Sequence, residues 1–131
     1  MDPIGIFVYG TLRSDVFPQS QYYNMYDCYV LSAYLKGGKL YFDSVYPYIV
    51  LDDSDSIVKG QIIFPTNLKK KIIETDKIEN EGYMYKRVIV SIVIKETNEI
   101  INAYTYVRNY NINSVEIKSG DWALFNQEKQ S

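Results

Sequence analysis

The chain has 131 residues, enough for one domain with one hydrophobic core, and its 47% hydrophobic content excludes a disordered chain. A formal net charge of −2, from 16 acidic and 14 basic residues, removes the electrostatic footprint of a nucleic-acid binder, and no apolar run approaches the ~20 residues of a membrane span. Met1-Asp2-Pro3-Ile4 lacks the basic region of a signal peptide, and the single Cys28 forbids an internal disulfide. Cys28 reads as a small buried hydrophobe in a reducing compartment, so a cytoplasmic protein is expected.

Ile4–Tyr9 is a short apolar, β-rich run stopped by Gly10. Ser14–Gln21, polar and containing Pro18, reads as loop. Tyr26–Tyr34 and Lys39–Phe42 read as strands separated by the turn pair Gly37-Gly38. Tyr46-Pro47-Tyr48 is an extended corner, because a residue before proline avoids the helical region. Asp52–Ser56 is an acidic turn, and Ile57–Phe64 is a strand in which Gly60 suggests a bulge.

After Pro65, either Thr66 or Asn67 can cap a helix in which Leu68 and Ile72 share one stripe. Within that helix Lys69-Lys70-Lys71 reads as a solvated face. Val88–Ile94 is almost continuously apolar and β-branched, the pattern of a strand buried on both sides. Thr97-Asn98 turns into a further strand, Glu99–Arg108, and Ser119-Gly120-Asp121-Trp122 is another turn. Many short strands and one clear helix give an α+β domain built on a strongly curved or barrel-like sheet, with no linker or internal repeat.

The chain has no histidine, which excludes Ser-His-Asp and Cys-His catalysis, histidine metal sites and imidazole acid/base chemistry. Any reaction must therefore be carried by carboxylate, tyrosine, lysine or backbone. Glu79 stands eleven residues after Leu68, which at about 100° per residue is about 20° off three full turns. If the helix runs on to Gly82, Glu79 joins the inward stripe and loses water, which raises its pKa. If the helix ends before Glu79, the carboxylate is solvated, and periodicity leaves both outcomes open. Glu81, beside Gly82, is the neighbouring competitor.

Tyr9-Gly10-Thr11-Leu12 follows the first strand. Glycine there permits positive φ and close approach, so successive N–H groups can form an anion-binding concavity. For a lone Gly-Thr, an ordinary strand-ending turn is the simpler reading. Arg13 either adds a charge to that loop or lies on the surface.

Taken in order, these segments resemble the γ-glutamylcyclotransferase-like family, also called AIG2-like or γ-glutamylamine cyclotransferases. Phe7-Val8-Tyr9-Gly10-Thr11-Leu12-Arg13 is similar to the family's opening strand and loop. Gly38-Lys39-Leu40-Tyr41 with Tyr46-Pro47-Tyr48-Ile49-Val50, and then Val58–Phe64, resemble the next blocks. Asp76-Lys77-Ile78-Glu79 with Tyr85-Lys86-Arg87 resembles the catalytic segment, and Ser119-Gly120-Asp121-Trp122 the closing motif. Thr75 and Asn80 depart from the family's usual leucine and glycine, as does the segment after Arg13.

The resemblance implies a small mixed β-barrel with flanking helices, spanning residues 1–131 as a single domain. It implies an enzyme that needs no metal and no cofactor and releases 5-oxoproline from a small γ-glutamyl amide. Glu79 would be the acid/base residue, favoured over Glu81 by the distances to Asp76 and Tyr85. Tyr9, Gly10, Thr11 and Leu12 would hold the substrate, with Tyr85 as a pocket residue. Arg87 would pair with Asp76 as scaffold, and Tyr46 and Tyr48 would form rim or core. Asp121 and Trp122 would lock the C-terminal turn. Two other functions compete: a non-catalytic module binding a small carboxylate or peptide on the same fold, and a tyrosine-rich sheet stacking single-stranded RNA, to which fourteen tyrosines lend themselves. The acidic balance opposes the second. Neither membrane nor nucleic-acid partners are expected, and the sequence leaves the oligomeric state open.

Overall fold

The structure, a computed structural model, describes residues 2–14, 23, 28–108 and 114–130. The loop expected over Ser14–Gln21 falls almost wholly outside these residues, as does the expected start of the second strand at Tyr26. Among the described residues eight strands and two helices follow in the order β1 (Ile6–Val8), β2 (Cys28–Lys36), β3 (Gly38–Phe42), β4 (Pro47–Leu51), β5 (Ile57–Pro65), α1 (Leu68–Glu79), β6 (Lys86–Ile94), β7 (Ile100–Val107), β8 (Val115–Glu116) and α2 (Trp122–Gln130).

The sheet order is β1-β5-β2-β6-β7-β4-β3-β8, and β1 also pairs with β7. Five strands, β1, β5, β2, β6 and β7, therefore close into a barrel, and β4, β3 and β8 extend from β7 as a side sheet. The closing β1–β7 pair is parallel, with Ile6 opposite Tyr104. The Tyr104 N–H donates to the Gly5 carbonyl at 3.0 Å, and the Thr105 hydroxyl donates to the Phe7 carbonyl at 2.9 Å. Closure removes the unpaired edges that an open sheet of this size would present.

Gly60 is not a bulge. The β2–β5 register runs unbroken through it, with Ala33 opposite Gly60. Its missing side chain is needed for another reason: a Cβ there would lie 2.3 Å from the Val8 carbonyl oxygen and 2.9 Å from the Phe7 ring. Gly60 lets β1 lie against β5 at close range.

β6 corrects another expectation. It is not buried on both sides: Ile89 is 57% exposed and Ser91 is exposed, while Ile92 and Ile94 are buried. Val88, Val90, Ile92 and Ile94 alternate into the core with Phe7, Leu35, Val58 and Ala103. A barrel wall has one face inside and one outside, so period-two burial is what its strands require even where the outer residues are apolar.

A second cluster forms on the other face of β1, where Ile6, Val8, Ile63 and Tyr106 meet Leu68, Ile72 and Ile78 of α1. Asn67 is the N-cap of α1, its side chain accepting the Lys70 N–H at 3.1 Å. Lys71 departs from the expected solvated face. It falls on the inward stripe, 3% exposed, with its ammonium 4.5 Å from the Tyr23 ring centroid and 3.3 Å from Glu74.

The turn expected at 119–122 leads into a second helix, α2. The Asp121 carboxylate accepts the Ala123 and Leu124 N–H groups as its cap and also binds Arg13 at 3.0 Å. Trp122 and Phe125, one turn apart, pack with Phe42 onto the barrel core.

Candidate active site

A cavity of about 380 Å³ opens between the end of β1, the end of α1 and the start of β4. Tyr9, Gly10, Thr11 and Leu12 line it together with Glu79 and Tyr85, so every residue assigned to the site from sequence is found there. Phe7, Val8, Tyr46, Pro47, Ile78 and Tyr106 complete the lining. Of these, Tyr46 was weighed as rim from sequence, whereas Ile78 and Tyr106 carry no signal beyond ordinary helix and strand periodicity. Tyr48, the other rim candidate, is fully buried core.

Glu79 is the last residue of α1, whose twelve residues carry the helix far enough to keep it on the Leu68–Ile72 stripe. The helix stops immediately after it. Asn80 takes the left-handed conformation, φ 54 and ψ 53, and its N–H donates back to the Asp76 and Lys77 carbonyls. Burial pushes the Glu79 carboxyl up to about 7, an effect that Arg108 partly opposes. Glu81 turns away from this role, its carboxylate accepting the Arg87 N–H at 3.2 Å.

The end of α1 is clamped. Asp76 forms an ion pair with Arg87 of β6 and accepts the Tyr106 hydroxyl of β7 at 2.6 Å. Arg87 thus ties down residues on both sides of Glu79, Asp76 through its guanidinium and Glu81 through its backbone. The expected Asp76–Arg87 scaffold pair is present.

On the other side of the cavity, the loop after β1 is a turn in which the Arg13 N–H donates to the Gly10 carbonyl at 3.1 Å. Gly10 does not use the positive φ that glycine permits. It serves close approach, since a Cβ would lie 2.8 Å from Cγ of Pro47. Among the described residues, none accepts a hydrogen bond from the Gly10, Thr11 or Leu12 N–H. Arg13 is neither a cavity charge nor a surface residue: it is buried on Asp121.

Two tyrosines set the floor of the site. The Tyr9 hydroxyl donates to the Tyr106 carbonyl at 2.5 Å and the Tyr85 hydroxyl to the Pro47 carbonyl at 2.6 Å. Burial pushes both phenols well above their ordinary range, and the Glu79 charge adds to the effect, so they remain neutral donors at physiological pH. Glu79, with its pKa near neutral, shares the cavity with Gly10, Thr11 and Leu12, whose N–H groups have no acceptor among the described residues, so one enclosure holds a group able to move a proton and backbone donors of the kind that hold anions.

The family model for γ-glutamyl cyclotransferase, AIG2-like proteins matches residues 6–124. The chain belongs to that family. No curated protein sequence matches it. Solved structures of similar fold include protein PH0828 from Pyrococcus horikoshii, at 25% identity and TM-score 0.69, with 97% of this chain and 96% of that one covered. Protein ytfP from Escherichia coli shares 24% identity at TM-score 0.62, covering 90% and 95% of the two chains. A structure described as a γ-glutamyl cyclotransferase shares 19% identity at TM-score 0.63, covering 88% of this chain and 70% of that chain. The last two are likenesses of fold. Together with the family match they account for the five-stranded barrel and flanking helices of this γ-glutamyl cyclotransferase-like chain. Among the described residues no helix is long and apolar enough to cross a membrane.

Proposed function

We propose that this protein is a γ-glutamyl cyclotransferase that releases 5-oxoproline and a free amine or amino acid from a γ-glutamyl amide. The observation that carries the reading is the half-buried Glu79 carboxyl, its pKa raised by burial, sharing one cavity with the Tyr9–Leu12 loop. Membership of the family supports the substrate class. The Gly10–Leu12 N–H groups hold the α-carboxylate or the oxyanion that develops on the γ-carbonyl. Ionised Glu79 takes a proton from the substrate's α-ammonium group. The amine then attacks its own γ-carbonyl carbon, forming the ring C–N bond and a tetrahedral oxyanion. Collapse breaks the bond to the departing nitrogen, which receives that proton from Glu79, while the remaining extra proton of the ring nitrogen passes to the regenerated Glu79 carboxylate and from it to the released amine. No water is consumed.

The nucleophile belongs to the substrate, so the protein supplies an acid/base group, an anion cradle and a near-attack geometry. A pKa near 7 suits a group that must both accept and return the same proton. Tyr85 lines the substrate side of the cavity. The lone, half-buried Cys28 is compatible with a reducing, cytoplasmic setting.

The test is an assay for 5-oxoproline across γ-glutamyl amines, γ-glutamyl amino acids and glutathione. Wild type should form product with at least one class, and Glu79→Gln should abolish turnover while keeping the fold. Binding of the same compounds by wild type without any product would instead make this a binding module.

A further inference from the structure

Arg108, which no sequence motif singles out, is a buried cation behind the cavity wall. It follows β7, is 7% exposed, and donates its backbone N–H to the Ile49 carbonyl at 3.0 Å. Its guanidinium carbon lies 4.6 Å from the Tyr48 ring centroid and 4.8 Å from that of Tyr85. Its Nη1 donates to the Asp43 carboxylate at 2.6 Å.

Asp43 has its other carboxylate oxygen committed. It accepts the Val45 and Tyr46 N–H groups at 2.8 and 2.7 Å, inside a tight turn where Ser44 takes a φ of 83°. That turn delivers Tyr46 and Pro47 to the cavity, and the Pro47 carbonyl receives the Tyr85 hydroxyl. One guanidinium thus touches Tyr85 directly and reaches Tyr46 and Pro47 through Asp43.

We propose that Arg108 and Asp43 form a positioning pair for the cavity, fixing Tyr46, Pro47 and Tyr85 in one arrangement and setting the electrostatic field in which Glu79 works. Only the kinetic consequence rests on the cyclotransferase reading; the charge relation stands without it.

The groups facing Glu79 are Tyr9 from the β1 loop, Tyr85 ahead of β6, Tyr106 from β7, Tyr23, and Arg108. Burial holds all four phenols neutral, so they add no charge near neutrality. Among the described residues Arg108 is the cation that acts on Glu79, and it acts on Tyr9 and Tyr85 as well. Asp43 stays ionised: partial burial opposes this, but the Tyr46 N–H, Arg108 and the Val45 N–H outweigh it and hold its carboxyl below the ordinary range. The field at Glu79 is therefore that of a cation partly offset by its own counter-ion.

Opposite-signed responses follow. With side-chain carboxyl-labelled glutamate in the full chain, the Glu79 titration midpoint can be followed by 13C NMR. Arg108→Gln removes the cation and should raise the midpoint by about one pH unit. Arg108→Lys keeps the charge and should restore most of the difference. Asp43→Asn unmasks the guanidinium and should lower the midpoint. Unchanged midpoints, or shifts of the same sign in Arg108→Gln and Asp43→Asn, would overturn the proposal, the latter because simple loosening of the wall would do that. Should Arg108→Gln fail to fold, Asp43→Asn decides alone, since its neutral side chain keeps the size of the original. In the 5-oxoproline assay the acid limb of kcat/KM should move with the NMR midpoint. An inactive wild type would sink the cyclotransferase reading and leave the NMR comparison intact.

Discussion

Glu79 is held in an environment that penalises its charge, and that has a cost in stability. Its pKa rises from the ordinary carboxylate range to about 7 on folding, with burial as the leading cause. A group whose folded pKa is raised favours the folded state below its unfolded pKa and loses that advantage as pH climbs through the folded value. Glu79→Gln should therefore match wild-type stability near pH 4 and exceed it by about 2 kcal/mol at pH 8 and above, measured by urea unfolding at the two pH values. Over the same range the kcat/KM of wild type should rise through about pH 7 as the base ionises. Glu79 itself was within reach of helical arithmetic, because eleven residues bring it back to the stripe of Leu68. Whether the helix lasted that long was not, since its end is set by the left-handed Asn80 and by contacts to Asp76 from strands far along the chain. Arg108 was illegible for a similar reason: its partners Asp43, Tyr48 and Tyr85 are near only in space.

α1 depends on more than its own propensity. Its N-cap is local, but its C-terminal turn is pinned by Asp76 to Arg87 and Tyr106. Asp76→Ala removes both pins and should cost about 1–3 kcal/mol by thermal or urea unfolding. On the proposed function it should also lower kcat about tenfold with a smaller change in KM, because the Glu79 carboxylate would wander while the Gly10–Leu12 loop stays in place. α2 has a comparable anchor in Asp121, which serves as cap and as the partner of Arg13. Asp121→Ala should destabilise by about 1–2 kcal/mol, with little effect on KM. The second helix was hidden in the sequence because its apolar residues, Trp122, Ala123, Leu124 and Phe125, fall in one consecutive run of a single turn, too short for periodicity to register. β6 misled for the opposite reason: its outer residues, such as Ile89, are apolar although they face solvent, which erased the alternation that a barrel strand normally displays.

Six of the eight strands among the described residues were readable from β-rich runs and their punctuating turns, and a curved sheet followed from their number, whereas β4 was read only as the corner at Tyr46-Pro47-Tyr48 and the two-residue β8 left no signal. The way the sheet closes was not, because β1 has only three residues and its parallel partner lies almost a hundred residues away. The same closure explains Gly60, where β1 passes too near β5 for any side chain. Gly60→Ala should displace Val8 and Phe7, lower stability by more than about 2 kcal/mol, and raise KM because the Gly10–Leu12 loop hangs from that strand. Chemical denaturation and steady-state kinetics on the soluble variant would show both effects.

The seam between β1 and β7 also has a bearing on how the molecule comes into being. Ile6 ends beside Ile63 and Tyr104. During synthesis the Ile6-Phe7-Val8 segment therefore waits for partners made 57 and 98 residues later, and loop closure over such spans is slow. β1 can be seated only after both of its later partners are made, so the Tyr9–Leu12 loop takes its place only when the barrel closes.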